Sequence, residues 1–230
     1  MMDFGFYNMD CMDGMKDFPD NFFDIAVVDP PYFSGPEKRK FYGRKVSSIG
    51  VQRVYEKMNE WEIPGKEYFD ELARVSKNQI IWGCNYFDYH FGSGRIVWDK
   101  CNGSSSFSDC EIAYCSLHDS VRLFRYMWNG MMQGKSIEYG WIQQGNKKLN
   151  EKRIHPTQKP INLYRWITNN YIKPGWKVLD THVGSASSLI AYREAGLQYV
   201  GFEKDKKIYE KSLQRLRDET MQESTKRKKP

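Results

Sequence analysis

The chain has 230 residues, of which 40 % are hydrophobic, 15 % aromatic and 28 % charged, enough apolar material for a buried core and too much for wholesale disorder. Its 35 Lys and Arg against 29 Asp and Glu give a formal charge of +6, and no apolar run approaches the roughly 18 residues that a membrane-spanning helix needs. The N-terminus lacks the basic-then-apolar layout of a secretion signal and the five cysteines form no CxxC pair, so we expect a cytoplasmic protein with reduced thiols and no metal centre, disulfide framework or membrane partner.

The first thirty residues are acidic, with seven Asp against Lys16 alone. Within them Phe22 to Val28 is a short β-branched apolar run that predicts a buried strand, closed by the rigid turn Asp29-Pro30-Pro31-Tyr32. Residues 33–60 follow as a long basic loop, and from Glu37 to Arg53 six cations face one acid. Lys66 to Val75 places Tyr68, Phe69, Leu72 and Val75 on one helical face. Strands are predicted at Gln79 to Trp82, Arg95 to Trp98 and Glu111 to Cys115, the last two separated by the turn-rich NGSSSFSD. Arg122 to Arg153 shows no clean period but holds seven cations against Glu138 and Glu151. The two basic stretches interleave cations with Phe41, Tyr42, Tyr126, Trp128, Tyr139 and Trp141, a composition that suits a phosphate backbone with exposed bases.

The C-terminal third is the most regular. A strand from Trp176 to Leu179 ends at Asp180, a helix runs from Ser185 to Glu194, a strand from Tyr199 to Phe202 ends at Glu203, and a helix runs from Asp205 to Arg217. This βαβα order predicts an α/β fold with a mostly parallel sheet and helices on both faces. Ligands of such sheets gather at the carboxyl ends of the strands, which brings Asp29, Asp180 and Glu203 around one crevice if the first strand joins the same sheet. The segment from Asp180 to Ser187 opens a helix and holds one glycine, Gly184, where a pyrophosphate cradle wants more, so a ligand without phosphates fits better. Glu203, 23 positions after Asp180, is placed to hydrogen-bond a ribose diol. The expected organisation is one domain over 1–218 with the basic loop 33–60 and a small basic recognition insertion at 118–154, and a disordered basic tail at 219–230.

Two motifs add a specific resemblance. Asp29-Pro30-Pro31-Tyr32 resembles the catalytic tetrapeptide of S-adenosylmethionine-dependent amino methyltransferases, and His155-Pro156-Thr157-Gln158-Lys159-Pro160 resembles a second motif of that family. With the catalytic motif first and the cofactor motif last, the order resembles the β class of DNA amino methyltransferases, specifically over residues 8–32 and 155–207. The resemblance implies a Rossmann-like methyltransferase fold, S-adenosylmethionine as cofactor, and transfer to the exocyclic N6 amine of adenine on a base flipped out of duplex DNA. Cytosine N4 or RNA methylation is the alternative, as is a nucleic-acid-binding homologue that has lost the cofactor.

The implied roles follow position by position. Asp29, the Pro30 carbonyl and Tyr32 are the catalytic group: acid and carbonyl accept the two amine hydrogens, and the ring stacks on the base. Asn8-Met-Asp-Cys resembles an N-terminal element of the family, so Asp10 and Cys11 lie against the cofactor's adenine. His155 and Lys159 flank its methionine end, Lys159 meeting a carboxylate. Asp180, His182, Gly184 and Ser185 belong to the cofactor loop, and Glu203 takes the ribose hydroxyls. Thr181, His182, Ala186 and Ser187 depart from the family's Pro, Phe, second Gly and Thr. The recognition stretch is short, so two copies sharing the work as a homodimer is a further expectation.

Overall fold

A computed structural model describes residues 1–32, 61–103 and 108–227. The basic loop expected at 33–60 therefore lies outside the described residues. The elements in chain order are β1 (Gly5–Tyr7), α1 (Cys11–Met15), β2 (Ile25–Val28), α2 (Lys66–Val75), β3 (Gln79–Trp82), β4 (Arg95–Asp99), β5 (Cys110–Cys115), β6 (Val121–Arg125), β7 (Trp128–Asn129), β8 (Met132–Gln133), α3 (Ile161–Tyr171), β9 (Lys177–Asp180), α4 (Ser187–Glu194), β10 (Gln198–Phe202) and α5 (Lys206–Arg227).

Eight of these strands form one sheet in the order β1-β10-β9-β2-β3-β5-β4-β6. The first five run parallel, and β5 is antiparallel to both β3 and β4. Every residue of β2 is buried, which explains why that strand reads as a continuous apolar run rather than an alternating one. Ile25 and Val27 point into one core with Ile80 and Trp82; Ala26 and Val28 point into a second core with Ile81. Helices cover both faces. Leu163 and Ile167 of α3, Leu189 and Ile190 of α4 and Leu216 of α5 fill the first core, while Met15 of α1 and Tyr68, Phe69, Leu72 and Val75 of α2 fill the second. Each such fully buried aliphatic or aromatic side chain contributes about 1.5–3 kcal/mol.

The predicted strands and helices appear within three residues of their expected ends, apart from two corrections. Residues 121–125, expected inside a recognition insertion, form β6, which pairs in parallel with β4 at the sheet edge. Only Phe124 of that strand is buried, so its sequence carries no strong alternation. The last helix runs to Arg227, so the tail expected to lack structure from 219 is helical through that residue. Of the aromatics in the second basic stretch, Tyr126 and Trp128 are core residues, whereas Tyr139 and Trp141 are exposed. Among the described residues no helix is long and apolar enough to cross a membrane.

Candidate active site

The parallel strands all end on one rim, and the antiparallel β5 begins there. That rim carries Glu203 directly after β10, Asp180 at the end of β9, Asp29 directly after β2, Lys100 directly after β4, and Glu111 at the start of β5. A cavity of about 1280 Å³ opens along it, lined by Asp10, Cys11, Asp29, Pro30, Tyr32, Lys100, Glu111, His155, Lys159, His182, Gly184, Ser185 and Glu203, among others.

At the β2–β3–β5–β4 end the lining is a closed charge cluster. Lys159 Nζ lies 2.5 Å from Asp29 Oδ2 and 2.9 Å from Glu111 Oε2, and Lys100 Nζ lies 2.5 Å from Glu111 Oε1. Lys159 is only 5 % exposed and its ammonium also sits 5.7 Å from the centre of the Trp82 ring. Burial pushes the Asp29 carboxyl up, against the pull of Lys159. Burial also opposes ionisation of Glu111, but Lys159 and Lys100 together outweigh it and hold that group down at about 2. Asp29 Oδ1 is buried and accepts no hydrogen bond from the described residues. Tyr32 stacks flat on Tyr86, with ring centroids 4.5 Å apart and planes inclined by 7°. The short turn Cys84–Tyr86 after β3 presents Tyr86 to it.

At the β9–β10 end the wall is a tight loop. Gly184 (φ 54°) and Ala186 (φ 62°) both adopt left-handed backbone, Gly184 lines the cavity, and a Cβ on it would meet open space, with the His182 carbonyl 4.0 Å away as its nearest described neighbour. Glu203 braces this loop: one oxygen accepts from the Gly184 N–H at 3.0 Å, the other from the Asp205 N–H at 2.9 Å. Burial pushes its carboxyl up to about 7. His182 Nδ1 pairs with Thr181 Oγ1 at 2.9 Å, and burial lowers its pKa to about 4. Arg215 of α5 donates to the Ser185 carbonyl and to Ser187 Oγ while pairing with Glu151 at 2.6 Å, tying the loop to the segment before α3.

The third wall comes from α1 and from the turn before α3. Asp10 caps α1 by accepting from the Met12 N–H and pairs with Lys204 at 2.8 Å. Burial raises the Cys11 thiol to about 12, so it is protonated and no nucleophile at neutral pH. His155 stacks on Trp61 and bonds Thr157, and burial lowers it to about 4. The two histidines are therefore neutral at pH 7 and act as acceptors or plates rather than as cations.

Two expectations need correction. Asp180 does not line the cavity: it is 2 % exposed, and its oxygens accept from the His182 N–H at 3.0 Å and from Ser188 Oγ at 2.5 Å. It shapes the loop from behind, because a strand-end carboxylate followed by a tight turn is the nearest acceptor for that turn's own donors. Lys159, expected to meet a ligand carboxylate, is already neutralised by Asp29 and Glu111. Glu111 and Lys100 are the charged residues that sequence reasoning missed. Both flank the NGSSSFSD turn at predicted strand ends, so the rule that ligands gather at strand ends points to them once β5 is known to run antiparallel.

The family model N6_N4_Mtase, described as DNA methylase, matches residues 118–214. The type II methyltransferase M.HinfI of Haemophilus influenzae is 24 % identical over 91 % of this chain and 67 % of its own length. In fold, the chain is similar to the crystal structure of the M1.HpyAVI–SAM complex, with a TM-score of 0.55, 18 % identity and coverage of 91 % of this chain and 98 % of that one. It is likewise similar to the cytosine-N4-specific PvuII DNA methyltransferase, with a TM-score of 0.54, 12 % identity and coverage of 95 % and 92 %.

Proposed function

We propose, from the premise that this chain is a relative of the S-adenosylmethionine-dependent DNA amino methyltransferases, that it methylates the exocyclic N6 amine of adenine in duplex DNA, on a base turned out of the helix. The observation that carries the reading is Asp29 Oδ1, a buried acceptor at the cavity wall without a donor among the described residues, followed by Pro30, Pro31 and Tyr32. An exocyclic amine is a poor nucleophile because its lone pair is delocalised into the ring. Asp29 and the Pro30 carbonyl accept its two hydrogens, turn the lone pair out of the ring plane and stabilise the positive charge that grows on nitrogen. Asp29 then holds the proton that the nitrogen sheds. The Tyr32–Tyr86 stack is the aromatic platform beside which an extruded base would lie.

The glycine loop fits the cofactor. Gly184 leaves open space where a side chain would intrude, and the nearby cation Lys204 is committed to Asp10, as suits a ligand without phosphates. When bound, S-adenosylmethionine supplies a methyl group activated by a sulfonium. Asp10, Cys11, His182, Gly184, Ser185 and Glu203 would hold it, Glu203 through the lone pairs its two backbone bonds leave open. His155 and Trp61 close the same wall. The exposed Tyr139, Trp141, Lys147 and Lys148 are candidates to meet the DNA.

Incubation of the protein with methyl-labelled cofactor and, in parallel reactions, mixed-sequence DNA or RNA, followed by digestion and mass analysis of the nucleosides, tests the reading. N6-methyldeoxyadenosine is expected; N4-methyldeoxycytidine would overturn the base assignment, and label in RNA alone or nowhere would overturn the DNA reading. Asp29→Ala should abolish transfer while sparing cofactor binding measured by calorimetry.

A further inference from the structure

Asp29 faces a difficulty in its own surroundings. An unshared ammonium beside a carboxylate in a dry cavity is free to settle between the two oxygens, where its charge and bulk compete with an incoming amine for the lone pairs that remain. Lys159 is such an ammonium, buried and 2.5 Å from Asp29 Oδ2. Asp29 Oδ1 nevertheless remains without a hydrogen-bond donor among the described residues. A second anion lies beside the same Nζ: Glu111 Oε2, at 2.9 Å, forms an ion pair with it but accepts no hydrogen bond among the described residues, so its pull on Lys159 is Coulombic.

We propose that Glu111 is a positioning residue for the transfer: by sharing the Lys159 ammonium with Asp29, it keeps one Asp29 oxygen open for the target amine. Lys100 completes the device. It holds Glu111 Oε1 at 2.5 Å, so that Glu111 takes a share of Lys159 without capturing it. Two carboxylates and two ammoniums leave the cluster neutral, so its desolvation in the cavity wall is not aggravated by a net charge. The sheet builds the device from strand ends: β2 delivers Asp29, β4 delivers Lys100, and β5, because it runs antiparallel, delivers Glu111 from its start. Among the described residues, Tyr32 from the turn after β2, Tyr68 from α2, Tyr164 from α3 and Asp180 from β9 are the other titratable groups that interact with Asp29.

The proposal rests on the methyl-transfer reading and has a test of its own sign. In Glu111→Gln, Lys159 loses its second carboxylate and closes on Asp29. The Asp29 carboxyl, followed by carbon-13 NMR in the ligand-free protein, should titrate about one unit lower or more. The acid limb of the pH–kcat profile should move down with it, kcat at neutral pH should fall about 10- to 100-fold, and KM for the cofactor should hold. In Lys100→Met, Glu111 is released to take more of Lys159, and the Asp29 titration and the acid limb should move the opposite way, to higher pH. Opposed shifts support the proposal; shifts of the same sign, or none, overturn it. A variant that does not fold leaves the other to decide, since each has its own predicted sign. An inactive wild-type protein would overturn the methyl-transfer reading, whereas an active wild type with an unmoved Asp29 in both variants would overturn this inference alone.

Discussion

Ala186 is a residue at which sequence and backbone disagree. It stands where the resembled family has glycine, and it adopts φ 62°, the left-handed conformation that costs an L residue about 1–2 kcal/mol. Replacing it by glycine removes that strain and gives back part of it through the looser unfolded chain. The Ala186 methyl is also fully buried in the first core, and its loss costs about 0.8 kcal/mol, so Ala186→Gly should leave stability within about 0.5 kcal/mol of the wild type, read as a nearly unchanged urea midpoint at unchanged slope. The buried ionisable groups make a second prediction at this scale. Asp180 and Glu203 titrate near 7 in the fold, above the ordinary value near 4, so the folded state holds their protons more tightly. The stability they confer when protonated is lost as pH rises from about 4 to about 7. His155 and His182, lowered to about 4, work in the opposite sense, with stability gained as pH rises from about 4 to about 6.5. The two trends offset each other in the wild type. In the double variant His155→Asn, His182→Asn, the melting temperature should fall steadily between pH 4.5 and 7, and a flat or rising profile would contradict the assigned shifts.

Among the elements, α3 shows why some structure escapes a reading of the sequence. INLYRWITNNY has no Ser, Thr, Asp or Asn cap before it, and its cap residue is Pro160. The missing capping group comes from ten residues upstream: Glu151 Oε2 accepts the Ile161 N–H at 2.9 Å, while Oε1 accepts from Gln158 and Arg215. Glu151 thus joins the start of α3, the His155–Pro160 motif and α5. Arg215→Met leaves its carboxylate buried and short of a partner, which should cost about 3–5 kcal/mol in a denaturant titration. β1 and α1 escaped for a related reason, being only three and five residues long. The edge strand β1 is made by register with β10, and α1 by docking on it. A Cβ on Gly14 of α1 would lie 2.4 Å from the Phe202 ring, so Gly14→Ala should destabilise by about 1–3 kcal/mol through overpacking. The long regular elements were legible because their periods are local, as in α2, whose four predicted apolar residues are all buried.

For the whole molecule the consequence is a cavity with two ends that should respond separately. Cofactor at a hundredfold excess over its Kd should stabilise the protein by about 2.7 kcal/mol. Glu203→Ala should lose that thermal shift and Asp29→Ala should keep it; loss in both, or in neither, would argue against two separable ends. The sequence by itself determined the α/β class, the strands that end in Asp29, Asp180 and Glu203, and the two motifs on which the family resemblance rests, because each is written in residues adjacent along the chain. Only the tertiary structure decided that Lys159 belongs to Asp29 and Glu111, that Asp180 serves its own loop, and that Tyr126 and Trp128 are core. Ion pairs and burial depend on distance in space, and the contacts that settle them join residues up to about 130 positions apart in a sheet whose strand order departs from chain order.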